Sequence, residues 1–562
     1  MGGKIAWREW SDESFQTAER EGKLVLLDLT ASWCHWCHVM DDTTYSDDAV
    51  ARLINDNFVP VRVDIDRRPD ISERYNRGGF PTTAFLSHSG DAVWGATYIP
   101  PADMRRVLEG LLRAKRAGEI DQALARAGER ARTPKMAPSG RGLPSEGELG
   151  RLMSGMMDSF DPVHGGFGDE PKFPNPDAVD LLITRHAVLG DRSAASAASL
   201  TLARMAEGLY DGAEGGVFRY SVTRDWSVPH YEKMLETNLG YLRNLARAQA
   251  ALGTGDLSGL AEGVAGYLLT TLRDPATGAF FGSQDADEEY YRLPLKARSK
   301  RPAPSVDRAV YSGWNALASS VLVEAGALLA RPDLVGAGLG ALDRVMETHW
   351  DGRMGLVAHS EGQGLFLSED QVELLGALLS AMEVRGTERT REPAEELIRA
   401  VAERFAHRDG GIGDVVADPA GIGSLAHPVR SLVTNSRWAH RLALAGAALG
   451  RTALLDQARG VLASFDTATV LAHGPFSAPF IAAADSLMAG PLKVEVHSSL
   501  ARPWEDPLWV ASKRAMDPRV VTLFVADGGG FAVACTEEGC SAKIRGPDEL
   551  LRALRRPPPG QV

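Results

Sequence analysis

Two patterns of apolar and polar positions divide this chain. Over residues 1–117, short apolar runs alternate with stretches of helical period, which predicts an α/β domain. Over residues 145–490 the apolar positions recur at helical spacing along long stretches, which predicts a run of helices. The stretch 118–144 is charged, rich in Ala and then rich in Pro and Gly, so we interpret it as a linker. Short apolar runs and a closing helix predict a small α/β piece over residues 491–562.

Within the first domain, strands and helices are predicted in alternation. The helices are expected over 11–21, 47–55 and 101–116, and the strands over 23–29, 58–64, the later part of 78–86, and 92–98. A further helix is expected to begin at Cys34, directly after the first strand.

The helical region repeats one kind of Gly-rich connection. About twelve helices are predicted between Ser145 and Met488, and each interval between connections holds one helical hairpin. Six hairpins that close on themselves form an (α/α)6 barrel with the Gly-rich turns at its mouth, whereas an open helical solenoid is the alternative. We favour the barrel because the copies number six. They lie at 161–167, 211–218, 274–280, 351–356, 409–413 and, in degenerate form, 473–476.

Composition and charge narrow the classes of function. The 562 residues carry 74 acidic and 61 basic side chains, a formal net charge of -13. Without a long basic run, the chain offers no electrostatic surface for nucleic acid or an anionic membrane, so neither is an expected partner. No apolar window is long enough to span a bilayer, and the N-terminus has no secretory pattern, so we expect a cytoplasmic protein. Four cysteines are too few for a disulfide scaffold.

Two of those cysteines, Cys34 and Cys37, have the spacing of a redox-active pair. Cys34 is predicted at a helix N-terminus, where free amide hydrogens and the helix dipole favour the nucleophilic thiolate. Cys37 lies one turn later and is positioned to resolve a mixed disulfide. His35 between them is expected to support the thiolate when protonated. Asp28, in the preceding apolar strand, is expected to be at least partly buried and to accept the Cys37 proton.

This arrangement resembles thioredoxin. The resemblance rests on the spacing of Asp28, Trp33, Cys34 and Cys37 and on the Pro81-Thr82 turn before a strand. It implies that Pro81 is cis, faces the dithiol and leaves backbone groups free to pair with an extended substrate. His35 and Trp36 are expected to contact that substrate.

Three longer sequence segments indicate a more specific family than thioredoxin. The sequences at 33–40, 63–70 and 95–100 resemble the uncharacterised thioredoxin-domain family that includes the spermatogenesis-associated thioredoxin-like protein. Motifs in the helical region resemble the second domain of the same family, so the resemblance covers nearly the whole chain.

Three other interpretations of the cysteine pair remain open. The string Cys34 to His38 is also a C-x-x-C-H haem c attachment motif, which would require export. A metal site with His35 or His38 has suitable ligand types but lacks further local ligands. A degenerate thioredoxin fold with inert thiols is the third. We predict no metal and no cofactor, and a protein dithiol or disulfide as the partner.

The connections of the helical region concentrate aromatic, amide and charged residues. Aromatic faces beside polar groups suit a carbohydrate-like small molecule. The expected substrate-binding residues are Lys172, Phe173, Arg219, Tyr220, Trp226, Glu232, Lys233, Gln284, Trp314 and Asn315.

The second domain of the resembled family is similar in fold to N-acylglucosamine 2-epimerases and six-hairpin glycosidases. Such epimerases use histidines as bases, and here His230 is the first choice, followed by His164 and His359. Asp285 and Asp287 are two residues apart, so they are expected to share one side and act as acid and base. A structural hydrogen bond for His230, and loop capping or a cation site for the aspartates, are the alternatives.

The far end of the chain holds the remaining cysteines, Cys535 and Cys540. Two ordinary reduced thiols are expected there; a second dithiol that exchanges with the first pair, or a four-cysteine zinc site, is the alternative. The leading hypothesis for the whole chain is a thiol-disulfide oxidoreductase fused to a sugar-processing-like barrel. The alternatives are a carbohydrate epimerase, isomerase or hydrolase with an accessory thioredoxin-like domain, and a non-catalytic redox or metabolite sensor.

Overall fold

The computed structural model describes residues 4–131, 142–253 and 257–555. The chain forms two compact units. The first consists of the described residues up to 131 together with two short later segments, 285–287 and 415–429. The second contains the other described residues. In the part of the chain that is described, no helix is both long and apolar enough to cross a lipid bilayer.

A four-stranded sheet with helices around it forms the first unit. Its strand order is β2-β1-β3-β4, in which β1 and β2 are parallel and the other neighbours are antiparallel. The elements are α1 (Asp12–Arg20), β1 (Leu24–Thr30), α2 (His35–Thr43), α3 (Asp48–Asn57), β2 (Phe58–Asp64), α4 (Pro69–Tyr75), β3 (Thr82–Leu86), β4 (Ala92–Ala96), α5 (Pro101–Arg116) and α6 (Glu119–Ala131).

The predicted α/β pattern of this unit is confirmed, with two additions. Helix α4 was not predicted; Pro69 opens it at a position where the missing backbone N–H costs nothing. Helix α6 lies in the stretch expected to be a linker from residue 118, but it packs on α5, and Ile120 joins the hydrophobic core. The first unit therefore extends past residue 117, because the apolar side of α6 packs on the hydrophobic core of that unit.

Helices dominate the second unit. Its elements are α7 (Glu146–Met157), α8 (Pro176–Leu189), α9 (Arg192–Gly208), β5 (Tyr220–Ser221), β6 (Pro229–His230), β7 (Lys233–Met234), α10 (Leu235–Ala251), α11 (Ser258–Tyr267), a π-helical turn (Leu268–Leu272), β8 (Ser283–Gln284), α12 (Glu288–Tyr291), α13 (Leu295–Arg298), β9 (Val306–Asp307), α14 (Ser312–Leu328), α15 (Pro332–Thr348), β10 (Trp350–Asp351), β11 (Leu356–Val357), α16 (Ser368–Arg385), α17 (Arg391–Arg404), α18 (Leu432–Leu449), α19 (Ala453–Ala463), α20 (Thr467–Ala472), α21 (Ala478–Ala489), β12 (Leu492–Ser498), α22 (Pro507–Arg514), β13 (Val520–Ala526), β14 (Phe531–Cys535) and α23 (Pro547–Leu554).

Six of these helices form a closed inner ring. Each of α8, α10, α14, α16, α18 and α21 packs on the next, and α21 packs on α8. A second helix accompanies each of them on the outside: α7, α9, α11, α15, α17 and α19. The closure confirms the predicted (α/α)6 barrel over the open solenoid.

A side-chain amide fixes each of four Gly-rich connections to the inner helix that follows it. The amide oxygen accepts the backbone N–H of one apolar residue in the connection, and the amide nitrogen donates to the same residue's carbonyl, at 2.7 to 3.1 Å. These amide clamps join Asn238 to Val217, Asn315 to Phe280, Gln371 to Val357, and Asn435 to Ile412.

The C-terminal piece is an α/β subdomain, as predicted. Its sheet has the order β13-β12-β14, with β12 and β13 parallel and β14 antiparallel to β12. Helix α22 packs on α14, and β13 packs on α16 and α18. The indole of Trp509 donates to the carbonyl of Glu383 near the end of α16. The subdomain therefore covers the end of the barrel where the inner helices terminate.

Candidate functional site

The two cysteines of the first unit form a disulfide at the start of α2. Cys34 is the residue that caps this helix, and the backbone N–H of Cys37 donates to its sulfur at 3.2 Å. Cys34 and Cys37 are only 4% and 3% exposed. An amide donor and the positive end of a helix stabilise negative charge on sulfur, so the predicted thiolate environment of Cys34 is present.

Asp28 lies on β1 beside Arg62 of β2. It is 1% exposed, and its Oδ2 accepts a hydrogen bond from Arg62 Nε at 2.8 Å. Tyr45 donates to the other oxygen at 3.2 Å. Burial raises the pKa of Asp28 from 3.8 to about 6, while Arg62 opposes the rise and Asp41 adds to it. The expected buried carboxyl is therefore present, held in an ion pair that the sequence did not reveal.

A cis proline and several aromatic contacts belong to the same unit as the cysteine pair. The Phe80–Pro81 peptide bond is cis, as the resemblance implied. Trp33 is buried and donates to Asp66 at 2.5 Å, while its ring meets Phe80 edge-on. Trp36 is 46% exposed and packs against Tyr98. His35 is also exposed, so both residues predicted to contact a substrate are accessible to solvent.

Asp285 and Asp287 belong to the first unit. The Oδ2 atom of Asp285 lies 4.0 Å from Nδ1 of His38, the residue after Cys37. His230 belongs to β6 in the second unit. The two aspartates and His230 thus belong to different units, and their joint role as acid, base and histidine stays a prediction.

Two predicted substrate-binding lysines serve as buried counter-ions. Lys172 and Lys233 are both 0% exposed. Lys172 donates to Asp161 at 2.7 Å, and Lys233 donates to Asp211 at 2.7 Å. Each aspartate belongs to a Gly-rich connection and also accepts backbone N–H groups of its own turn. Substrate binding is corrected to a structural role, because these ammonium groups neutralise carboxylates that hold the turns.

Three other expected binding residues are also structural. Asn315 is an amide clamp and is completely buried. Trp226 is completely buried, and its indole donates to the carbonyl of His164. Gln284 donates to the carbonyl of Pro304 and accepts from Tyr267. Their polar groups are occupied by the protein itself, so their predicted contacts with a substrate are corrected.

An aromatic stack remains at the start of α10. Tyr220 stacks on His230 with ring centroids 4.4 Å apart and on Phe173 at 4.7 Å. The Nδ1 atom of His230 lies 3.2 Å from Oε1 of Glu232. Glu232 is 2% exposed, and its Oε2 has no hydrogen-bond partner among the described residues. The structure thus brings together four residues that were predicted singly, and their role in binding or catalysis stays a prediction.

Of the other predicted barrel residues, one lies next to the aromatic stack and the rest contact other parts of the protein. Arg219 places its guanidinium 5.7 Å from the Tyr220 ring centroid, next to the stack. Trp314 is half-buried and meets Tyr311 edge-on. His359 is buried, with Nδ1 2.9 Å from Asp370 Oδ2, and the backbone of His164 is held by Asp161 and Trp226. Only Arg219 therefore adds a charge to the stack.

Two carboxylates inside the ring of inner helices were missed. Glu236 lies on the face of α10 that carries Arg243, and Glu369 lies on the face of α16 that carries Gly376; Arg243 and Gly376 line the internal cavity. Both glutamates are reached by solvent, and within the described residues neither makes a hydrogen bond or ion pair. Although both are exposed to this solvent, the protein around them removes part of their hydration, which raises the pKa of Glu369 to about 7 and also raises the pKa of Glu236. Helical spacing from the cavity-lining residues is the signal that would have found them.

Ion pairs surround the cavity below these glutamates. Its volume is about 280 Å³. Arg437 bridges Asp177 and Glu373, at 2.6 and 3.1 Å. Arg247 binds both Asp180 and Glu324. The interior of the barrel is therefore charged along its length. Glu236 and Glu369 differ from these paired carboxylates in making no ion pair with any described residue, although the charge of Arg437 acts on both.

The two remaining cysteines form a second disulfide. Cys535 ends β14 and is joined to Cys540 across the turn 536–539. This replaces the two separate thiols that were expected. It also excludes a four-cysteine zinc site in the described state, because all four cysteines are paired.

The first unit matches a known family of proteins. Residues 2–122 fit the family model Thioredox_DsbH, whose description is "Protein of unknown function, DUF255". The matched range ends just inside α6.

Two curated relatives match a larger part of the chain. It is 35% identical over 259 residues to the uncharacterized protein B0495.5 of Caenorhabditis elegans, covering 41% of this chain and 34% of that protein. It is 31% identical over 307 residues to spermatogenesis-associated protein 20 of Homo sapiens, covering 50% of this chain and 39% of that protein. The chain thus spans well under half the length of both relatives.

The helical unit has counterparts among solved structures. Its alignment with cellobiose 2-epimerase from Bacillus thermoamylovorans B4167 covers 56% of this chain and 85% of the epimerase chain, with a TM-score of 0.47 and 10% identity.

Proposed function

Because its N-terminal unit is a thioredoxin-like DUF255 domain, we propose that this chain catalyses thiol–disulfide exchange at Cys34 and Cys37. One observation carries the proposal: Cys34 caps a helix, and its sulfur receives the backbone N–H of Cys37. Helix-start cysteines with such donors are nucleophilic as thiolates at neutral pH.

The reaction proceeds in two exchanges. The Cys34 thiolate attacks one sulfur of a substrate disulfide, and the other substrate sulfur leaves as a thiolate. Cys37 then loses its proton and attacks the Cys34 sulfur, which releases the substrate as a dithiol and leaves the Cys34–Cys37 disulfide. Asp28 accepts the Cys37 proton, for which a pKa of about 6 is suitable, since the carboxyl is mostly ionised above that pH.

Equilibration in glutathione buffers of graded redox potential tests the proposal. We expect the peptide that carries residues 34–37 to change between disulfide and dithiol in one reversible two-electron transition. Alkylation in acid followed by peptide mass spectrometry measures this transition separately from that of Cys535 and Cys540. A pair that stays oxidised or stays reduced at every accessible potential would rule out exchange.

For the helical unit we infer a second candidate function, acid–base chemistry on a hydroxyl-rich, carbohydrate-like ligand. The specific observation in its favour is the pair of unpartnered carboxylates, Glu236 and Glu369, inside the ring of inner helices. Near neutral pH, Glu369 holds its proton part of the time because its pKa is about 7. It is therefore suited to act as a general acid, with Glu236 as the base.

Polar and aromatic neighbours support the choice of ligand. The charges of Arg219 and Arg437 lower the pKa of Glu236 against its burial, so both guanidiniums act on this carboxylate. Arg219 also lies next to the Tyr220 ring, which is stacked with His230. An aromatic face beside carboxylates and guanidiniums offers the apolar contact and the hydrogen bonds that a sugar ring uses.

Replacing Glu369 by Gln should lower kcat at least tenfold on any sugar that the wild type converts. The amide keeps the shape of the acid but has no proton to give. Reducing sugars and disaccharides, screened by nuclear magnetic resonance for epimerisation, isomerisation or hydrolysis, supply the measurement. The wild-type rate should fall as pH rises through about 7. Glu403→Gln, on the exposed face of outer helix α17, is the matched control. Equal rates for Glu369→Gln and Glu403→Gln would remove Glu369 from the mechanism.

A further inference from the structure

The Cys535–Cys540 disulfide has a setting unlike that of the first pair. Cys535 is half-buried, Cys540 is exposed, and every residue from 536 to 543 is exposed. Cys34 and Cys37 are almost fully covered. Of the two disulfides in this chain, the second therefore presents its sulfurs more openly to an attacking thiolate.

The hairpin that carries this disulfide is closed without it. Thr536 donates to the carbonyl of Gly539 at 2.9 Å, and Ser541 donates to the carbonyl of Ala534 at 2.8 Å. Ala532 and Ile544 exchange two backbone hydrogen bonds at 2.7 and 2.9 Å, and both residues are buried. None of these bonds involves the disulfide, so we expect the hairpin to keep its form when the disulfide is reduced.

Loop size also argues against a mainly structural role. A disulfide restricts the unfolded chain less when the loop that it closes is shorter. Four residues separate Cys535 from Cys540. In a chain of 562 residues with only two disulfides, this is a poor place for a stabilising cross-link and a good place for a reversible one.

The turn that carries Cys540 is the part of this hairpin that another domain can reach. The outer edge of β14 is already paired, because Ala532 and Ile544 exchange backbone hydrogen bonds and Ser541 donates to Ala534. The turn 536–540 beyond these pairs is exposed. The thioredoxin resemblance implies that the backbone at cis Pro81 holds such an exposed segment of a substrate.

We propose that Cys535–Cys540 is a second redox site and that the Cys34–Cys37 dithiol reduces it. This proposal rests on the exchange activity proposed above. The Cys34 thiolate attacks the exposed sulfur of Cys540, and Cys535 leaves as a thiolate that takes up a proton. Cys37 then gives up its proton and attacks Cys34, which frees Cys540. Two electrons pass from the first pair, which becomes a disulfide, to the second, which becomes a dithiol; a thiol reductant restores the first pair.

The full-length Cys37→Ser variant tests this exchange directly, since its Cys34 has no resolving partner. We expect a Cys34–Cys540 linked peptide to form without added oxidant, together with a free thiol at Cys535. Peptide mass spectrometry after acid quenching identifies both. The Cys34–Cys540 link forms either within one chain or between two copies. Under non-reducing conditions the first product has the size of a monomer and the second has the size of a dimer, and both result from the proposed reaction.

A rate comparison gives an independent measurement. The oxidised wild type and the Cys34→Ser variant each receive one equivalent of dithiothreitol, and thiols at Cys535 and Cys540 are followed with time. We expect them to appear at least tenfold faster in the wild type, because the Cys34→Ser variant is reduced only by dithiothreitol itself.

Equal rates, with no linked peptide in Cys37→Ser, would overturn the second redox site. If residues 34–37 still show their reversible transition in glutathione buffers, the proposed exchange function stands and only this inference fails. If that transition is also absent, the proposed function fails as well.

Discussion

Replacing Cys34 by Ser should lower disulfide reductase activity more than thousandfold. The hydroxyl that replaces the thiol is not ionised at neutral pH and does not attack a disulfide, so the first exchange cannot begin. Reduction of insulin disulfides with dithiothreitol as the electron source measures the loss.

Cys37→Ser is the matched comparison for this variant. It should also lose turnover, but it keeps the nucleophile and therefore accumulates a mixed disulfide between Cys34 and insulin, which mass spectrometry detects. The two serine variants thus separate attack from resolution. Activity of Cys34→Ser above a tenth of the wild-type rate would place the reactive sulfur elsewhere.

Asn in place of Asp28 should stabilise the first unit by roughly 3 kcal/mol at pH 8 while slowing the exchange about tenfold or more. The pKa of this carboxyl rises from 3.8 to about 6 on folding. A difference of about two pKa units corresponds to roughly 3 kcal/mol, which the ionised carboxylate costs the native state. The neutral amide avoids that cost but accepts no proton from Cys37.

The pH dependence of this stabilisation has a definite sign. Native Asp28 binds its proton more tightly than the unfolded chain does, so stability falls as pH rises from about 4 to 6 and stays lower above. The gain from Asp28→Asn should therefore be nearly absent at pH 4 and complete at pH 8. Urea titrations at pH 4 and pH 8 measure the gain at each pH. At each urea concentration, a pulse of hydrogen exchange reports the folded fraction of the peptide that contains β1.

Asp42→Asn, on the exposed side of α2, is the control for charge removal. It should change stability by less than about 0.5 kcal/mol at either pH. If Asp28→Asn destabilises the first unit at pH 8, the Arg62 ion pair outweighs the cost of burial, and the proton-accepting role loses its basis.

Local patterns predicted most of this fold. The cysteine pair, the apolar β1 and the Pro81 turn are each visible in a few adjacent residues, and all occupy their expected places. The six Gly-rich connections predicted the barrel because each repeats a turn that the helical hairpin requires. Helix α6 was missed because its charged, Ala-rich sequence was interpreted together with the Pro and Gly residues that follow.

The candidate sites were harder to predict, because function and structure use the same residue types. Lys172 and Lys233 look like ligand-binding cations in sequence, yet each is paired with an aspartate 11 or 22 residues earlier. Asp28 and Arg62 are 34 residues apart and meet only through strand pairing. Glu236 and Glu369 sit among ordinary helical residues, and only closure of the ring makes their carboxylates face a shared interior.

The amide clamps have a consequence for how this barrel can diverge. Each clamp joins a Gly-rich connection to the inner helix that follows it, so it fixes both ends of the segment between them. The two clamped residues are 21, 35, 14 or 23 positions apart in sequence. The inner helices thus tolerate more than a twofold range of segment length. The two longest spans are the ones that supply 285–287 and 415–429 to the first unit. We therefore expect insertions in these segments to leave the register of the helical scaffold unchanged, because the clamp fixes the connection on the inner helix that follows it.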